Sequence, residues 1–185
     1  MKKSDIPNLI SFIRLLLIAP VVWFLLNEQY HYALGLFIVA GLSDALDGYL
    51  ARKYHWGSDL GGWLDPLADK AMQVSAYCTL TWLGLIPLWL LLVVILRDVL
   101  IVCGGIVYYF QVEKVSASPS WISKINTLMQ ILLVVVILIH KSVLVMPPVF
   151  LDMMIYAVLF TTVLSGLGYV MTWGEKAWRF KKDNE

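Results

Sequence analysis

Long apolar runs separated by short polar breaks dominate the pattern of this chain. A helix needs roughly 20 mainly apolar residues to cross a membrane, and six runs have about this length. The spans are predicted near residues 9–26, 33–52, 63–83, 87–110, 124–141 and 150–172. The breaks with turn-forming residues are 27–32, 84–87, 116–120 and 146–148. The pattern therefore predicts an all-α integral membrane protein with six transmembrane helices in a single membrane-embedded domain, residues 1–185.

Composition and charge agree with the membrane interpretation. Of the 185 residues, 60% are hydrophobic and only 15% are charged, which is unlike an ordinary soluble domain. The formal net charge of +1 gives no basis for nucleic-acid binding. The first apolar run lacks a small-residue cleavage site and has full spanning length, so we expect a span there and not a cleavable signal.

The distribution of Lys and Arg predicts the orientation. With six spans both termini share one side of the membrane, and most basic residues lie there. They are Lys2, Lys3, Arg52, Lys53, Lys114, Lys124, Lys176, Arg179, Lys181 and Lys182. The opposite connections hold only Lys141. The positive-inside rule therefore places both termini in the cytoplasm, and we expect a bacterial cytoplasmic membrane as the location.

Four aspartates stand out in the segment SDALDGYLARKYHWGSDLGGWLDPLADK, residues 43–70. Asp44 and Asp47 are three residues apart and share a helix face, and Asp65 and Asp69, four apart, share a face of the next helix. Because a short turn joins these two spans, all four carboxylates are expected near the cytoplasmic surface. Charges in a bilayer are costly, so such a group indicates a functional site.

The chemistry of this cluster indicates bound cations. Carboxylates that converge from two helices repel one another unless cations lie between them, and oxygen ligands select hard ions such as Mg²⁺, Ca²⁺ or Mn²⁺. Two such ions, about 3.5–4 Å apart, can hold the attacking and leaving oxygens of a displacement at phosphorus. Arg52 offers a planar fork for phosphate oxygens. The small residues that leave room for a ligand are Gly48, Ala51 and Gly61. A helix cap or an Asp44–Arg52 ion pair would explain one aspartate but not four at this spacing.

The complete pattern D-x2-D-G-x2-A-R-x8-G-x3-D-x3-D resembles the signature of the CDP-alcohol phosphotransferases. The resemblance extends to the opening IPNLISFIRLLLIAP and to the six-span layout, and so to nearly the whole chain. It implies that four residues bind two divalent cations, Mg²⁺ or Mn²⁺, which hold the diphosphate of CDP-diacylglycerol. These residues are Asp44, Asp47, Asp65 and Asp69.

The same resemblance implies roles for individual residues. Asp69 would take the proton from the acceptor hydroxyl, which attacks the lipid-side phosphorus, and Arg52 would help to stabilise the departing CMP. The residues implied to lie against the cytidine and the phosphates are Gly48, Ala51 and Gly61. Asn8 and Ser11, at the start of the first span, either contribute to nucleotide binding or cap the helix, and the sequence leaves both open.

The acceptor must be inferred from the second half of the chain. Arg97 lies within a span beside Asp98, and because neighbouring side chains on a helix point in different directions, we expect a ligand or a distant partner for Arg97. A small anion such as glycerol 3-phosphate needs several cations around it. Relatives that make phosphatidylglycerophosphate carry a second Arg and a Lys-x-Lys pair, whereas this chain has Gly105, Lys124 and Asn126 at the matching places. Arg97, Lys124 and Asn126 are therefore predicted to bind the acceptor.

Two segments of this half, LRDVLIVCGGIVYY and PSWISKINTLMQILLVV, resemble cardiolipin synthases of the eukaryotic type. The resemblance implies transfer of a phosphatidyl group from CDP-diacylglycerol to phosphatidylglycerol, which gives cardiolipin and CMP. Synthesis of phosphatidylglycerophosphate from glycerol 3-phosphate is the alternative. The family is commonly homodimeric, and residues 153–172, with Gly166 and Gly168, could form a face between subunits.

A divalent-cation or proton transporter is the alternative from another class, because carboxylates within membranes also mark ion paths. Such a path would need polar residues that continue to the far side. The outer halves of the second and third spans, ALGLFIVA and AYCTLTWLGLI, offer few of them. The sequence therefore favours an enzyme.

Overall fold

Six helices form nearly all of the backbone that the computed structural model describes, residues 5–54, 59–111 and 120–183. They are α1 (Asp5–Leu26), α2 (Tyr30–Tyr54), α3 (Asp59–Trp82), α4 (Leu88–Gln111), α5 (Trp121–Ser142) and α6 (Pro148–Asp183). Side chains are described for residues 9–44, 53–54, 65–104 and 120–172. Each predicted span overlaps one helix, so the all-α prediction is confirmed for the described residues.

Three helices of the described chain are long and apolar enough to cross a membrane. These stretches are Leu9–Leu26, Trp121–Ser142 and Pro148–Thr172. Helices α2, α3 and α4 coincide with the other predicted spans and include the charged positions discussed above. That all six helices cross the membrane, with both termini in the cytoplasm, stays a prediction.

The turn between α3 and α4 shows how local chemistry ends a helix. Gly84 has a φ of 72°, in the left-handed region that glycine adopts without steric cost. The N–H of Leu85 donates to the carbonyl of Leu80 at 2.9 Å, which closes the last turn of α3 in the pattern common at glycine-terminated helices. The break predicted at residues 84–87 is thus a turn.

The starts of α5 and α6 also follow from their sequences. The hydroxyl of Ser120 accepts the N–H of Ser123 at 3.2 Å, so Ser120 caps α5. Pro148 is the first residue of α6, where its missing N–H removes no helical hydrogen bond. Helix α6 continues to Asp183, past the predicted span end at residue 172, and so includes most of the basic tail.

The chain forms two compact units, and the first comprises Met1–Ile86 and Val134–Met146. Within it, α1 packs against both α2 and α3. Several alanines of α2 and α3 are buried, and such small side chains let helices approach closely. They are Ala33, Ala40, Ala68 and Ala76. Helix α1 can therefore present side chains to both of its neighbours.

The second unit comprises Pro87–Leu133 and Pro147–Glu185, and in it α4 packs against α6. This unit buries several polar side chains. They are Arg97, Ser123, Asn126, Gln130, Thr162 and Ser165. The single domain over residues 1–185 stays a prediction.

Candidate active site

Helix α1 presents two buried polar side chains on one face. Ser11 and Arg14 are three residues apart, and they are 0% and 2% exposed. A buried guanidinium is costly unless a counter-charge and hydrogen-bond acceptors compensate its lost hydration. In the first unit, α2 and α3 supply them.

Arg14 joins two of the motif aspartates through a single nitrogen atom. Its Nη1 donates to Oδ1 of Asp44 at 2.7 Å, and the same nitrogen donates to Oδ1 of Asp69. Asp44 belongs to α2 and Asp69 to α3. The structure therefore brings together two carboxylates from different helices, and the group that connects them comes from α1.

Ser11 makes the third contact between α1 and the motif, because its hydroxyl donates to Oδ1 of Asp65. Helix α1 begins at Asp5, whereas a capping residue flanks the first turn. Ser11 and Asn8 lie inside the helix, so the alternative that they cap it is wrong. Asp44 pairs with Arg14, which differs from Arg52, the ion-pair partner that the sequence offers.

The carboxylates of this cluster are more accessible than the groups that hold them. The side chains of Asp44 and Asp69 are 42% and 47% exposed, whereas that of Arg14 is 2% exposed. The cluster thus has a buried side, formed by α1, and an open side. A substrate could reach the carboxylates from the open side without displacing the helix packing.

Several predicted site residues lie outside the described side chains. Their backbones lie on α1, α2 and α3, but the positions of their functional groups are not described. These residues are Asn8, Asp47, Gly48, Ala51, Arg52 and Gly61. Their assignments as metal or CDP-lipid ligands stay predictions.

Arg14 is the site residue that the sequence reasoning missed. The run from residue 9 to 26 predicts a span by its apolar length, and Arg14 is the one charged residue inside it. The signal was present, because a charge within an apolar span usually faces a partner or a cavity. Its spacing of three from Ser11 also placed both polar groups on one helix face.

The carboxylate oxygens of the cluster are suitable ligands for a hard divalent cation, although the set is incomplete among the described side chains. Asp44 and Asp69 each direct one carboxylate oxygen at a single cationic nitrogen, and carboxylate oxygens are the ligands that Mg²⁺ and Mn²⁺ prefer. The described side chains include no group of three ligating residues that could hold an ion. The fourth motif carboxylate, Asp47, lies outside them. Metal binding by the motif carboxylates therefore stays a prediction.

A second polar cluster, in the second unit, is built around Arg97. Its Nη2 donates to the hydroxyls of Ser123 and Ser165, both at 2.6 Å, and its Nη1 donates to Asp98 at 2.8 Å. The expected distant partners exist, on α5 and α6. Arg97 also pairs with the adjacent Asp98, although neighbouring side chains on a helix point in different directions, because the long guanidinium side chain folds back to its neighbour.

The other two predicted acceptor residues differ in environment. Asn126 is fully buried, and its Oδ1 accepts hydrogen bonds from Thr162 at 2.8 Å and Thr161 at 3.0 Å. Its Nδ2 has no hydrogen-bond partner among the described residues. Lys124 is exposed, with Nζ 5.0 Å from the centre of the Trp121 ring. Acceptor binding by these residues stays a prediction.

Comparison with known families gives the class of protein. Residues 4–170 match the CDP-alcohol phosphatidyltransferase family, and the match includes the aspartate motif and the α1 segment that contacts it. The chain belongs to this family, as its motif indicated. Family members are generally dependent on divalent cations.

Individual relatives carry two different names. Cardiolipin synthase (CMP-forming) of Rattus norvegicus is 36% identical over 181 residues, which cover 89% of this chain and 60% of the relative. The human protein of that name is 35% identical and covers 96% of this chain and 64% of its own length. CDP-diacylglycerol–glycerol-3-phosphate 3-phosphatidyltransferase of Bacillus subtilis is 37% identical over 72% of this chain and 69% of its own length. The chain thus spans 60% and 64% of the length of the two mammalian relatives.

The apolar helices and the membership of a family of membrane enzymes identify a membrane protein. The relatives come from both animals and bacteria. They therefore do not support the more specific expectation of a bacterial cytoplasmic membrane.

Proposed function

We propose that this protein transfers a phosphatidyl group from CDP-diacylglycerol to a hydroxyl of phosphatidylglycerol and releases CMP. The observation that carries the proposal is the contact of one buried face of α1 with three motif aspartates, in a chain of the CDP-alcohol phosphatidyltransferase family. The product is cardiolipin.

Asp69 is proposed as the catalytic base. Its side chain is 47% exposed, so an acceptor hydroxyl can approach it. As the hydroxyl oxygen forms its bond to the lipid-side phosphorus, the bond from that phosphorus to the oxygen of CMP breaks, and the hydroxyl proton passes to the Asp69 carboxylate. CMP carries away the electron pair of the broken bond.

The donor site is proposed to consist of the aspartates and the small residues of the motif. Two divalent ions, Mg²⁺ or Mn²⁺, when bound by Asp44, Asp47, Asp65 and Asp69, supply positive charge to the diphosphate and the leaving CMP. The remaining proposed contacts to the CDP-lipid come from Arg52, Gly48, Ala51, Gly61, Asn8 and Ser11. Ser11 has an additional role, because its hydroxyl orients Asp65.

The charges of the second unit favour phosphatidylglycerol over glycerol 3-phosphate as acceptor. The positive charge of Arg97 is balanced in part by Asp98 at 2.8 Å. The position that carries a lysine in phosphatidylglycerophosphate-making relatives is the neutral Asn126, which is buried and held by two threonines. Lys124 is the remaining cation among the three predicted acceptor residues. Together these residues suit an acceptor with one phosphodiester charge better than an acceptor with a phosphate monoester. The buried Nδ2 of Asn126 is a further donor for such a ligand.

The alternative function is synthesis of phosphatidylglycerophosphate from glycerol 3-phosphate. The relative from Bacillus subtilis that is named for this reaction supports it, although it covers less of this chain than the two cardiolipin synthases. Ion transport is not favoured, since the chain belongs to a family of transferases.

An acceptor comparison tests the proposed function. Protein purified in detergent is given CDP-diacylglycerol with Mg²⁺ or Mn²⁺, and phosphatidylglycerol or glycerol 3-phosphate is supplied in separate reactions. We expect CMP release and cardiolipin formation with phosphatidylglycerol. Turnover with glycerol 3-phosphate but not with phosphatidylglycerol would replace the proposed acceptor by the alternative. No CMP release with either acceptor would contradict the proposal that CDP-diacylglycerol is the donor substrate.

Location and assembly complete the proposal. We infer that the aspartate cluster faces the side of the membrane that holds the basic connections, which is the cytoplasm if the membrane is bacterial. We also propose a homodimer through α6. A Cβ added at Gly166 would lie 3.7 Å from Cγ of Arg97, so Gly166 is used within the subunit, whereas Gly168 has no neighbour within 4 Å among the described residues and leaves room for a second copy.

A further inference from the structure

A buried cation already lies where the aspartates converge. Nη1 of Arg14 contacts carboxylate oxygens of Asp44 and Asp69, and these oxygens belong to residues proposed as ligands of divalent ions. Only 2% of the Arg14 side chain is exposed, so its charge is held at the cluster and is poorly hydrated. The same carboxylate oxygens thus have two candidate cations.

We propose that Arg14 is the resident counter-cation of the aspartate cluster, which holds Asp44 and Asp69 together until divalent ions displace it from them. This inference rests on the proposed binding of metal by the aspartates. It makes Arg14 a positioning residue, because it acts through the carboxylates and not on the substrate.

Two opposite consequences follow for a protein without the Arg14 charge. Without bound metal, a neutral side chain in place of Arg14, such as glutamine, cannot offset the repulsion between the carboxylates that α2 and α3 bring together. The metal-free protein therefore loses stability. With metal present, no guanidinium competes for the carboxylate oxygens or repels the incoming ion, so the metal binds more tightly. A side chain that merely filled space would produce the first effect without the second.

The decisive variants are Arg14→Gln, which removes the charge, and Arg14→Lys, which keeps it. Lys141→Gln is the matched control, because it removes one positive charge from an exposed position of the same unit. Each full-length protein is purified in detergent and stripped of metal with EDTA. Mn²⁺ binding is measured by the loss of the free-ion electron paramagnetic resonance signal, and unfolding is followed by intrinsic tryptophan fluorescence with and without Mn²⁺.

We expect the metal-free Tm of Arg14→Gln to fall by about 4 °C or more and its apparent Kd for Mn²⁺ to become about tenfold tighter than that of the wild type. The gain in Tm on adding Mn²⁺ should be correspondingly larger. Arg14→Lys should bind Mn²⁺ with nearly wild-type affinity because it retains the charge, and Lys141→Gln should match the wild type in both measurements.

An unchanged or weaker Mn²⁺ affinity in Arg14→Gln would overturn the displacement of Arg14. If the wild type itself bound no Mn²⁺, the proposed metal site would fail instead. The metal-free Tm would then decide separately whether Arg14 stabilises the cluster, and a value equal to that of the wild type would rule this out.

Discussion

At the residue scale, the site depends on how one buried arginine and one serine orient three carboxylates. The motif spacing alone was enough to select Asp44, Asp65 and Asp69, because residues three or four apart share a helix face. It could not select Arg14 or Ser11 as their partners. Those contacts depend on which neighbour α1 packs against, and the sequence of α1 does not specify that.

Asp69→Asn tests the proposed catalytic base. The amide nearly preserves the shape of the carboxylate but cannot accept the hydroxyl proton, and it weakens metal binding. We expect CMP release to fall by about 10²–10⁴-fold or more, while far-UV circular dichroism stays that of the wild type. Asp152→Asn, an exposed aspartate on α6, is the matched control. Wild-type CMP release by Asp69→Asn would exclude Asp69 as the base.

Ser11→Ala tests the contact between α1 and Asp65. Loss of a buried hydroxyl that donates to a carboxylate leaves that carboxylate less well oriented, at a cost of about 1.5–3 kcal/mol. We expect kcat/KM for CDP-diacylglycerol to fall by about tenfold or more. Ser43→Ala is the control, since the Ser43 hydroxyl donates to the carbonyl of Val39 in its own helix, at 2.7 Å. Equal effects of the two substitutions would argue against a specific role for Ser11.

At the element scale, the six helices could be predicted because each apolar run is long enough to be recognised by length alone. The helix ends depend on local chemistry more than on the length of the apolar run. Gly84 marks the end of α3 by a conformation that glycine favours, whereas α6 extends past residue 172 through a basic tail that contains no proline. The Arg97–Asp98 pair does not follow from helix geometry, which predicts the direction in which a side chain leaves the helix but not how far a long side chain reaches.

Asn126→Ala tests whether the buried amide joins α5 to α6. It removes the acceptor for the hydroxyls of Thr161 and Thr162, and a buried group left without its partner costs about 1–3 kcal/mol. We expect Tm, followed by tryptophan fluorescence, to fall by several degrees. The control is Lys124→Ala at an exposed position of the same helix, which should change stability by less than about 0.5 kcal/mol. A wild-type Tm in Asn126→Ala would show that these hydrogen bonds contribute little.

At the scale of the whole molecule, the sequence predicts a topology from two signals, the number of apolar runs and the distribution of basic residues. The number of apolar runs is even, and the basic residues are concentrated on one side. The acceptor is harder to predict at this scale, because Arg97, Ser123 and Ser165 come from three helices distant in sequence. Their assembly into one polar cluster is a property of the packed second unit.

The topology can be tested with reporter fusions in a bacterial host. Alkaline phosphatase is active only outside the cytoplasm and green fluorescent protein only inside it. We expect both reporters, fused in turn to each terminus, to indicate the cytoplasm. Opposite locations for the two termini would contradict six spans, and two external termini would contradict the orientation.

The central claim is that a phosphatidyl group moves from CDP-diacylglycerol to phosphatidylglycerol. Its most direct test uses CDP-diacylglycerol with isotope-labelled acyl chains, unlabelled phosphatidylglycerol and purified protein, with CMP and lipid products quantified by mass spectrometry. The account predicts one CMP for each cardiolipin and one labelled diacylglycerol moiety in every cardiolipin molecule. Cardiolipin without label, or CMP released without any cardiolipin, would contradict it.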